Sequence, residues 1–142
     1  MHGDLIFYPA VILVAMTLLT YAYLLRVKVR ENRAGRVNRE RWTMHEDAWP
    51  ESVLKVNNNL RNQFEMPVLF YGLCFMLWAL EAVDVVTLVA AWLFVLTRFV
   101  HVWIHLGSNR MRPRARAFAA GWWVLAFMVL LVLWRLAGRA VT

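Results

Sequence analysis

The sequence predicts an all-α integral membrane protein, a four-helix bundle in which consecutive helices run up, down, up and down. The chain of 142 residues is 61% hydrophobic and 14% aromatic, which is too apolar for a soluble domain of this size. Charged residues divide it into four apolar runs, at 5–25, 66–80, 85–106 and 117–134. The third run carries one arginine and two histidines, which indicates a polar site inside the bundle.

The lengths of the runs decide where the helices are expected. A helix needs about 20 residues to cross the hydrocarbon layer, so the first and third runs suffice and the fourth is close. The second run is short and must be extended through the asparagine-rich stretch before it. The predicted spans are 5–25, 58–81, 84–106 and 115–136, in one domain that covers 1–142, with a surface loop over 26–56.

The first apolar run is not expected to be a cleaved signal, because no basic segment precedes it and no convincing small-residue cleavage site follows. Within the second helix, Pro67 lacks a backbone donor for the carbonyl of Gln63. We expect it to kink the helix or to start a new one.

The placement of basic residues predicts the orientation. The loop 26–56 and the connection near 107–116 are both rich in arginine, whereas the connection between the second and third runs is acidic. Under the positive-inside rule both basic connections are cytoplasmic and both termini lie outside. Arg135 and Arg139 oppose this assignment, but the first helices usually weigh more. The net charge of +7 then reflects topology and contact with anionic lipids, and nucleic-acid binding is not expected.

Arg98, His101 and His105 are the polar residues of the third run, and their spacing places all three on one face of a helix. A guanidinium at the middle of a membrane helix costs about 2.5–3.5 kcal/mol even on lenient scales. Such a residue usually faces a bundle interior or a wet cavity that holds its partner. We therefore expect this face to point inward.

A second polar stripe precedes the second run. Asn58, Asn62, Glu65 and Leu69 share a helix face, and Arg61 lies beside it, four residues before Glu65. The start of the second helix and the end of the third are expected at the same side of the membrane. This stripe is therefore predicted to face the interior, where Glu65 would provide the counter-charge for Arg98.

Two interpretations of these facing stripes stay open. They are a network that fixes helix packing, or a pocket for a small zwitterionic or anionic ligand, with guanidinium groups for carboxylates and Glu65 for an ammonium. His101 and His105 would also suit a metal, but no third ligand stands at a useful spacing, so no metal site is expected. The eight tryptophans are expected at the membrane interfaces and on the lipid-facing surface.

The segments NNNLRNQFEMPVLFYGL (57–73) and RFVHVWIHLGSNRMRPRARAF (98–118) resemble those of the MAPEG family, the membrane-associated proteins in eicosanoid and glutathione metabolism. The chain is most similar to the small bacterial branch, and the resemblance covers its whole length. It implies a homotrimer in a bacterial inner membrane, with glutathione bound between subunits at the cytoplasmic side.

By this resemblance, Arg61, Asn62 and Glu65 match positions that hold the polar groups of glutathione, and Arg98 and His101 match the polar pair of the third helix. Arg114 or Arg116 would stabilise the glutathione thiolate. His105 stands where members often carry a tyrosine.

The implied activity is glutathione transfer to a hydrophobic electrophile, or peroxide reduction, with the second substrate arriving from the lipid. A guanidinium beside the thiol would favour its charged, nucleophilic form. The departure at His105 keeps a second hypothesis open, a non-catalytic membrane subunit or lipid-binding component of a larger complex. A proton or solute carrier is less favoured, because the chain shows no inverted repeat.

Overall fold

The computed structural model describes residues 2–140, which form five α-helices and two short 3₁₀ turns, with no β-strand among them. The helices are α1 (Phe7–Arg33), α2 (Glu51–Gln63), α3 (Met66–Ala79), α4 (Val85–Leu106) and α5 (Met111–Ala140). The 3₁₀ turns are Gly3–Ile6, before α1, and Glu46–Ala48, in the connection between α1 and α2. The all-α prediction is confirmed.

The predicted second helix is divided in two, as the position of Pro67 suggests. α2 ends at Gln63, and α3 begins at Met66 with the proline in its first turn, where a missing backbone donor costs nothing. Glu65 lies between them with backbone angles outside the helical region. α2 and α3 therefore occupy the place of one predicted helix, with a break at Phe64 and Glu65.

The helix ends differ from the expected spans mainly at the end of α1, at the start of α2 and at both ends of α5. α1 continues to Arg33 and α2 begins at Glu51, so both extend into the region expected as the surface loop 26–56. α5 is also longer than expected at both ends. These extensions are amphipathic or charged, so hydropathy alone does not mark them.

Three helical segments are long and apolar enough to cross a membrane within the described residues: 3–33, 85–106 and 111–139. α3 is apolar but has only 14 residues, a length of about 21 Å. It needs the residues of the break and the end of α2 to make up a full crossing. This chain is an integral membrane helical bundle, and the predicted second helix is interrupted at Phe64 and Glu65.

Apolar packing in the bundle forms one large cluster and one small one. The large cluster joins α1, α3, α4 and α5, and at its centre the rings of Phe70 and Phe94 stack with their centroids 4.6 Å apart. The small cluster packs the end of α1 against α2 through Leu24, Val27, Val53, Val56 and Leu60. This second cluster sets the rotation of α2, and with it the position of every polar residue on that helix.

The turn between α3 and α4 is closed by side-chain contacts. Asp84 caps α4 by accepting a hydrogen bond from the Thr87 backbone, and the Thr87 hydroxyl accepts one from the Asp84 backbone. The other carboxylate oxygen of Asp84 forms an ion pair with Arg135 of α5. Arg139 donates to the carbonyl of Leu80 in the same turn. The basic residues near the end of α5 are thus bound to the protein itself.

Candidate functional site

The polar face of α4 lies inside the bundle. Arg98, His101 and His105 are 1%, 2% and 3% exposed, so the inward orientation predicted from their spacing is confirmed. They follow Phe94 and Val95 along the same buried face of the helix. The apolar residues fix the rotation of α4, and the three polar side chains are carried into the interior by it.

Arg98 is bound to the end of α2. Its Nη2 donates to the backbone carbonyl oxygen of Asn62 at 3.1 Å, and the Phe118 ring lies 6.0 Å from its guanidinium carbon. The carbonyls at a helix C-terminus carry partial negative charge and lack partners within the helix. Arg98 therefore interacts with the C-terminal carbonyl end of α2, next to the break before α3.

The expected pairing of Arg98 with Glu65 is not present in this chain. Glu65 is exposed, and no ion pair joins it to Arg98 within the described part of the molecule. Asn58 and Leu69 are also exposed and Asn62 is half-buried. The prediction that this stripe faces the interior of a single chain was therefore wrong. Its residues lie on the outer face of α2 and at the start of α3.

The physical reason is the apolar pattern of α2. Val53, Val56 and Leu60 have helical spacing and pack against α1, and this packing turns the asparagine stripe outward. The polar residues that do enter the interior are Asn59 and Gln63, at 0% and 2% exposure. Asn59 and Gln63 lie on the same helix face as the apolar residues of α2, and this spacing is the pattern in the sequence that indicates their burial. The neighbouring exposed asparagines obscured it.

Asn59 and Gln63 belong to a hydrogen-bonded group that also includes Thr20 of α1. The side-chain amide of Gln63 donates to the Thr20 hydroxyl and to the Asn59 carbonyl oxygen, each at 3.0 Å. Thr20 in turn donates to the carbonyl of Met16. This group fixes the last turn of α2 against α1, just before the break.

Arg61 pairs with a different carboxylate from the one expected. It forms an ion pair with Glu46, in the connection between α1 and α2, rather than with Glu65. Both side chains are more than half exposed. The connection therefore reaches the same outer face of α2 that carries Asn62, next to the break that contains Glu65.

The two histidines lie near the start of α5. Their ring centroids are 5.6 Å apart, and Nδ1 of His101 lies 3.3 Å from the carbonyl oxygen of Arg114, to which it can donate. Lys55 of α2 donates to the carbonyl of Gly107 at 2.6 Å. The sequence places Lys55 in the surface loop and does not indicate it as a site residue, because no local pattern reveals a contact across 52 residues.

The two candidate arginines lie near the start of α5 and are placed differently. Arg114 is half-buried, and its Nη1 donates to the side chain of Asn109 at 2.8 Å. Arg116 is exposed and has no hydrogen-bond or ion-pair partner in the described structure. Because the Arg114 backbone touches His101, Arg114 is the arginine that adjoins the polar face of α4.

Several buried polar atoms in this region have no hydrogen-bond partner within the described chain. They are Nε and Nη1 of Arg98, Nε2 of His101, Nδ1 of His105, Nδ2 of Asn59 and Oε1 of Gln63. Buried polar atoms nearly always have a partner, so such a group indicates bound water or a bound ligand. The charged member of the group, Arg98, is a cation, which favours an anionic partner. No cluster of three metal-ligating side chains occurs among residues 2–140.

A model of the MAPEG family matches residues 6–134 of the chain. The match covers most of the sequence and includes both segments on which the resemblance rested. The chain belongs to the MAPEG family. No curated protein matches it. Membership places this MAPEG protein among membrane proteins of glutathione and eicosanoid metabolism at the level of the family, and the helical bundle agrees with it.

Proposed function

We propose that this MAPEG protein is a glutathione-dependent membrane transferase or peroxidase that acts on hydrophobic electrophiles. The observation that carries the proposal is the buried guanidinium of Arg98, which has two nitrogen atoms without partners beside two histidine nitrogens in the same condition. Burial of a cation without a counter-ion is costly. A carboxylate of glutathione is an anion that would supply the missing partner.

The polar groups of glutathione, namely two carboxylates, one ammonium, two amides and a thiol, fit the residue types present. Arg61 and Arg98 would bind carboxylates, Glu65 would accept from the ammonium, and Asn62, His101 and His105 would bond to amide groups. Arg61 and Glu65 are exposed on a single chain, whereas Arg98 and the histidines are buried. A site that uses both sets is expected where α2 and α4 approach a neighbouring subunit, which supports a homotrimer with shared sites.

Arg114 is proposed to activate the thiol, with Arg116 as the alternative. A guanidinium near the sulfur stabilises the thiolate and lowers the pKa of the thiol. The thiolate then attacks an electrophilic carbon, forming a C–S bond as the leaving group departs with its electron pair. With a hydroperoxide, the thiolate attacks one peroxide oxygen, the O–O bond breaks, and the alkoxide takes up a proton and leaves as the alcohol. The resulting sulfenic acid of glutathione is attacked by the thiol of a second glutathione, which gives the disulfide and water.

The second substrate is proposed to arrive through the lipid. An apolar groove of about 660 Å³ lies between α3 and α5 and is lined by Met66, Leu69, Met76, Trp122 and Val129, among others. It begins at Met66, the first residue after the break in the second crossing. Partition of an apolar electrophile into the bilayer would raise its concentration beside this groove.

Orientation and location complete the proposal. We infer that the site lies at the cytoplasmic side of a bacterial inner membrane, with both termini outside. The arginines that opposed this assignment do not remain free charges, because Arg135 pairs with Asp84 and Arg139 donates to Leu80. Their binding within the protein supports the weight given to the other basic segments.

A second candidate function is a non-catalytic membrane subunit. The bond from Arg98 to the Asn62 carbonyl, with no ion pair to Glu65, is also the arrangement expected of an anchor between α4 and α2. In that case the unpartnered atoms would bind water, and the protein would serve as a structural or lipid-binding component of a larger complex.

Thermal unfolding in detergent with increasing glutathione distinguishes the two. Ligand that binds only the folded state stabilises it by about 2.7 kcal/mol at a concentration 100 times the Kd. We expect the Tm to rise with glutathione. An equal concentration of ophthalmic acid, the analogue that lacks the sulfur, should cause only a smaller rise. An unchanged Tm up to 10 mM glutathione would favour the structural role.

A further inference from the structure

We infer that the end of α1 carries a binding site for an anionic phospholipid, formed by Arg26, Arg30 and Arg33 with the apolar residues beside them. These arginines line a groove of about 470 Å³ together with Leu25 and Val29. Their spacing of four and three residues puts them on one face of the helix. The site is separate from the candidate glutathione site on α2 and α4, and its test does not depend on the proposed activity.

The position along α1 suits a lipid headgroup. The apolar run from Leu5 to Leu25 has a helical length of about 31 Å, which matches the hydrocarbon thickness of about 30 Å. Arg26 is the first charged residue after it. Arg33 lies about 10 Å further along the helix, so the three guanidinium groups extend through the depth at which phosphates and headgroups are found.

The arginines of the groove have donors to offer. Arg26 and Arg33 are exposed and have no hydrogen-bond or ion-pair partner among the described residues, whereas Arg30 shares its charge with the neighbouring Glu31. This differs from the opposite end of the bundle, where Arg135 is paired with Asp84. The partner of Arg26 and Arg33 is therefore expected outside the chain.

An apolar stripe leads from the arginines toward the other membrane face. Val11, Leu18 and Leu25 are spaced seven residues apart, and each is more than 60% exposed. Val29 continues this surface between the arginines at 41% exposure. One phospholipid would place its phosphate against the guanidinium groups and an acyl chain along the stripe. A zwitterionic lipid offers the same acyl contact but carries a cation that the arginines repel.

The test compares lipids retained by the purified full-length protein in its native assembly. Native mass spectrometry would follow phosphatidylglycerol and phosphatidylcholine binding to the parent, to Arg26→Gln/Arg33→Gln, and to the control Arg110→Gln/Arg112→Gln. The control removes the same charge from exposed residues at the start of α5, one just before the helix and one in its first turn. All the substituted side chains are exposed, so folding should be retained, and a lipid-free melting curve checks this.

We expect the parent to prefer phosphatidylglycerol and the groove variant to bind it about 30-fold more weakly, which corresponds to a factor of about five for each arginine. The control should retain most of the affinity. An equal loss in both variants would show diffuse attraction to basic residues and overturn the site. The site would also be overturned if the parent bound phosphatidylcholine as well as phosphatidylglycerol. It would be overturned, too, if the groove variant dissociated into single chains while its lipid affinity stayed unchanged.

Discussion

The Arg98 guanidinium donates from Nη2 to the backbone carbonyl of Asn62, 3.1 Å away, and so joins α4 to the last turn of α2. The same turn leads into the break at Phe64 and Glu65. A buried cation thus holds the end of α2 at which the break before α3 begins. The outward-facing residues Arg61, Asn62 and Glu65 are presented around that point.

Arg98→Met separates a ligand-binding role from an anchoring role. Methionine keeps the volume of the side chain and removes a buried charge that has no carboxylate partner, so the free energy of unfolding without ligand should change by less than about 1.5 kcal/mol. The Tm increase caused by glutathione should disappear. Both quantities come from melting curves in detergent, with and without glutathione.

The opposite pattern would contradict the binding role of Arg98. A stability loss above about 3 kcal/mol, together with a retained response to glutathione, would show that the bond to Asn62 serves architecture alone. Arg98→Lys is the matched control, because it keeps the charge and loses the planar fork of donors. It should retain part of the glutathione response.

Arg114→Ala and Arg116→Ala are expected to differ. The Arg114 backbone accepts from His101 and its side chain is half-buried, whereas Arg116 is exposed and unpartnered. Loss of the Arg114 guanidinium should remove the ultraviolet thiolate absorbance of bound glutathione and leave its binding within about threefold, because one cation favours the charged sulfur. Arg116→Ala should keep the absorbance. If only the Arg116 variant loses the thiolate absorbance, Arg116 rather than Arg114 activates the thiol. If the double variant still forms the thiolate, neither arginine is the activator.

Much of this arrangement follows from the sequence. The parts that do not follow from it were missed for physical reasons. The burial of Arg98, His101 and His105 was predictable because Phe94 and Val95 share their face. The rotation of α2 was not inferred, because polar residues dominate that helix and its few apolar residues decide its packing.

Contacts between distant segments were also beyond local pattern. Glu46 reaches Arg61 and Lys55 reaches Gly107 only once the connections fold over the helix ends. Local spacing favoured Glu65 for Arg61, since the two residues are four apart on a helix. The helix break before Glu65 removes that geometry.

Glu46→Gln should raise the affinity for glutathione. Glu46 occupies the Arg61 guanidinium that a glutathione carboxylate would use, and an exposed ion pair contributes about 0.2–1 kcal/mol. Removal of this competitor should therefore lower the Kd by about 1.4- to fivefold, measured by titration calorimetry. The effect should shrink at high salt.

Asp47→Asn is the control for that measurement. It removes the same charge from the adjacent residue, but Asp47 pairs with Arg41 at 3.1 Å rather than with Arg61. Its Kd should equal that of the parent. An equal rise in affinity for both variants would indicate general electrostatics, and a weaker affinity for Glu46→Gln would show that Glu46 contributes to the site.

Asp84 should show two separable contributions to stability. Asp84→Asn keeps a good helix cap and loses the ion pair with Arg135, so it should cost about 0.2–1 kcal/mol. Asp84→Ala also removes the cap and should cost about 1 kcal/mol more. If the contribution of Arg135 to stability comes from its ion pair with Asp84, Arg135→Gln should cause little further loss of stability in the Asp84→Asn background. Additive losses from the two changes would show that the residues act independently.

Gly121 lies at a close approach of α5 to α4. A Cβ there would lie 2.9 Å from the Thr97 hydroxyl, which is held by a 2.7 Å bond to the Phe94 carbonyl. Gly121→Ala should therefore destabilise the bundle by about 1–3 kcal/mol. Gly138→Ala, where nothing lies within 4 Å, should instead stabilise it by about 0.5–1 kcal/mol, since alanine favours the helix.

Thr97→Ala added to Gly121→Ala removes the atom that clashes. The double variant should recover most of the stability lost by Gly121→Ala, measured as Tm in the same detergent. Thr97→Ala alone should have a small effect, because its hydroxyl bonds only to its own helix. If the double variant is as unstable as Gly121→Ala, the contact between α4 and α5 at this level is made by other atoms than the Thr97 hydroxyl.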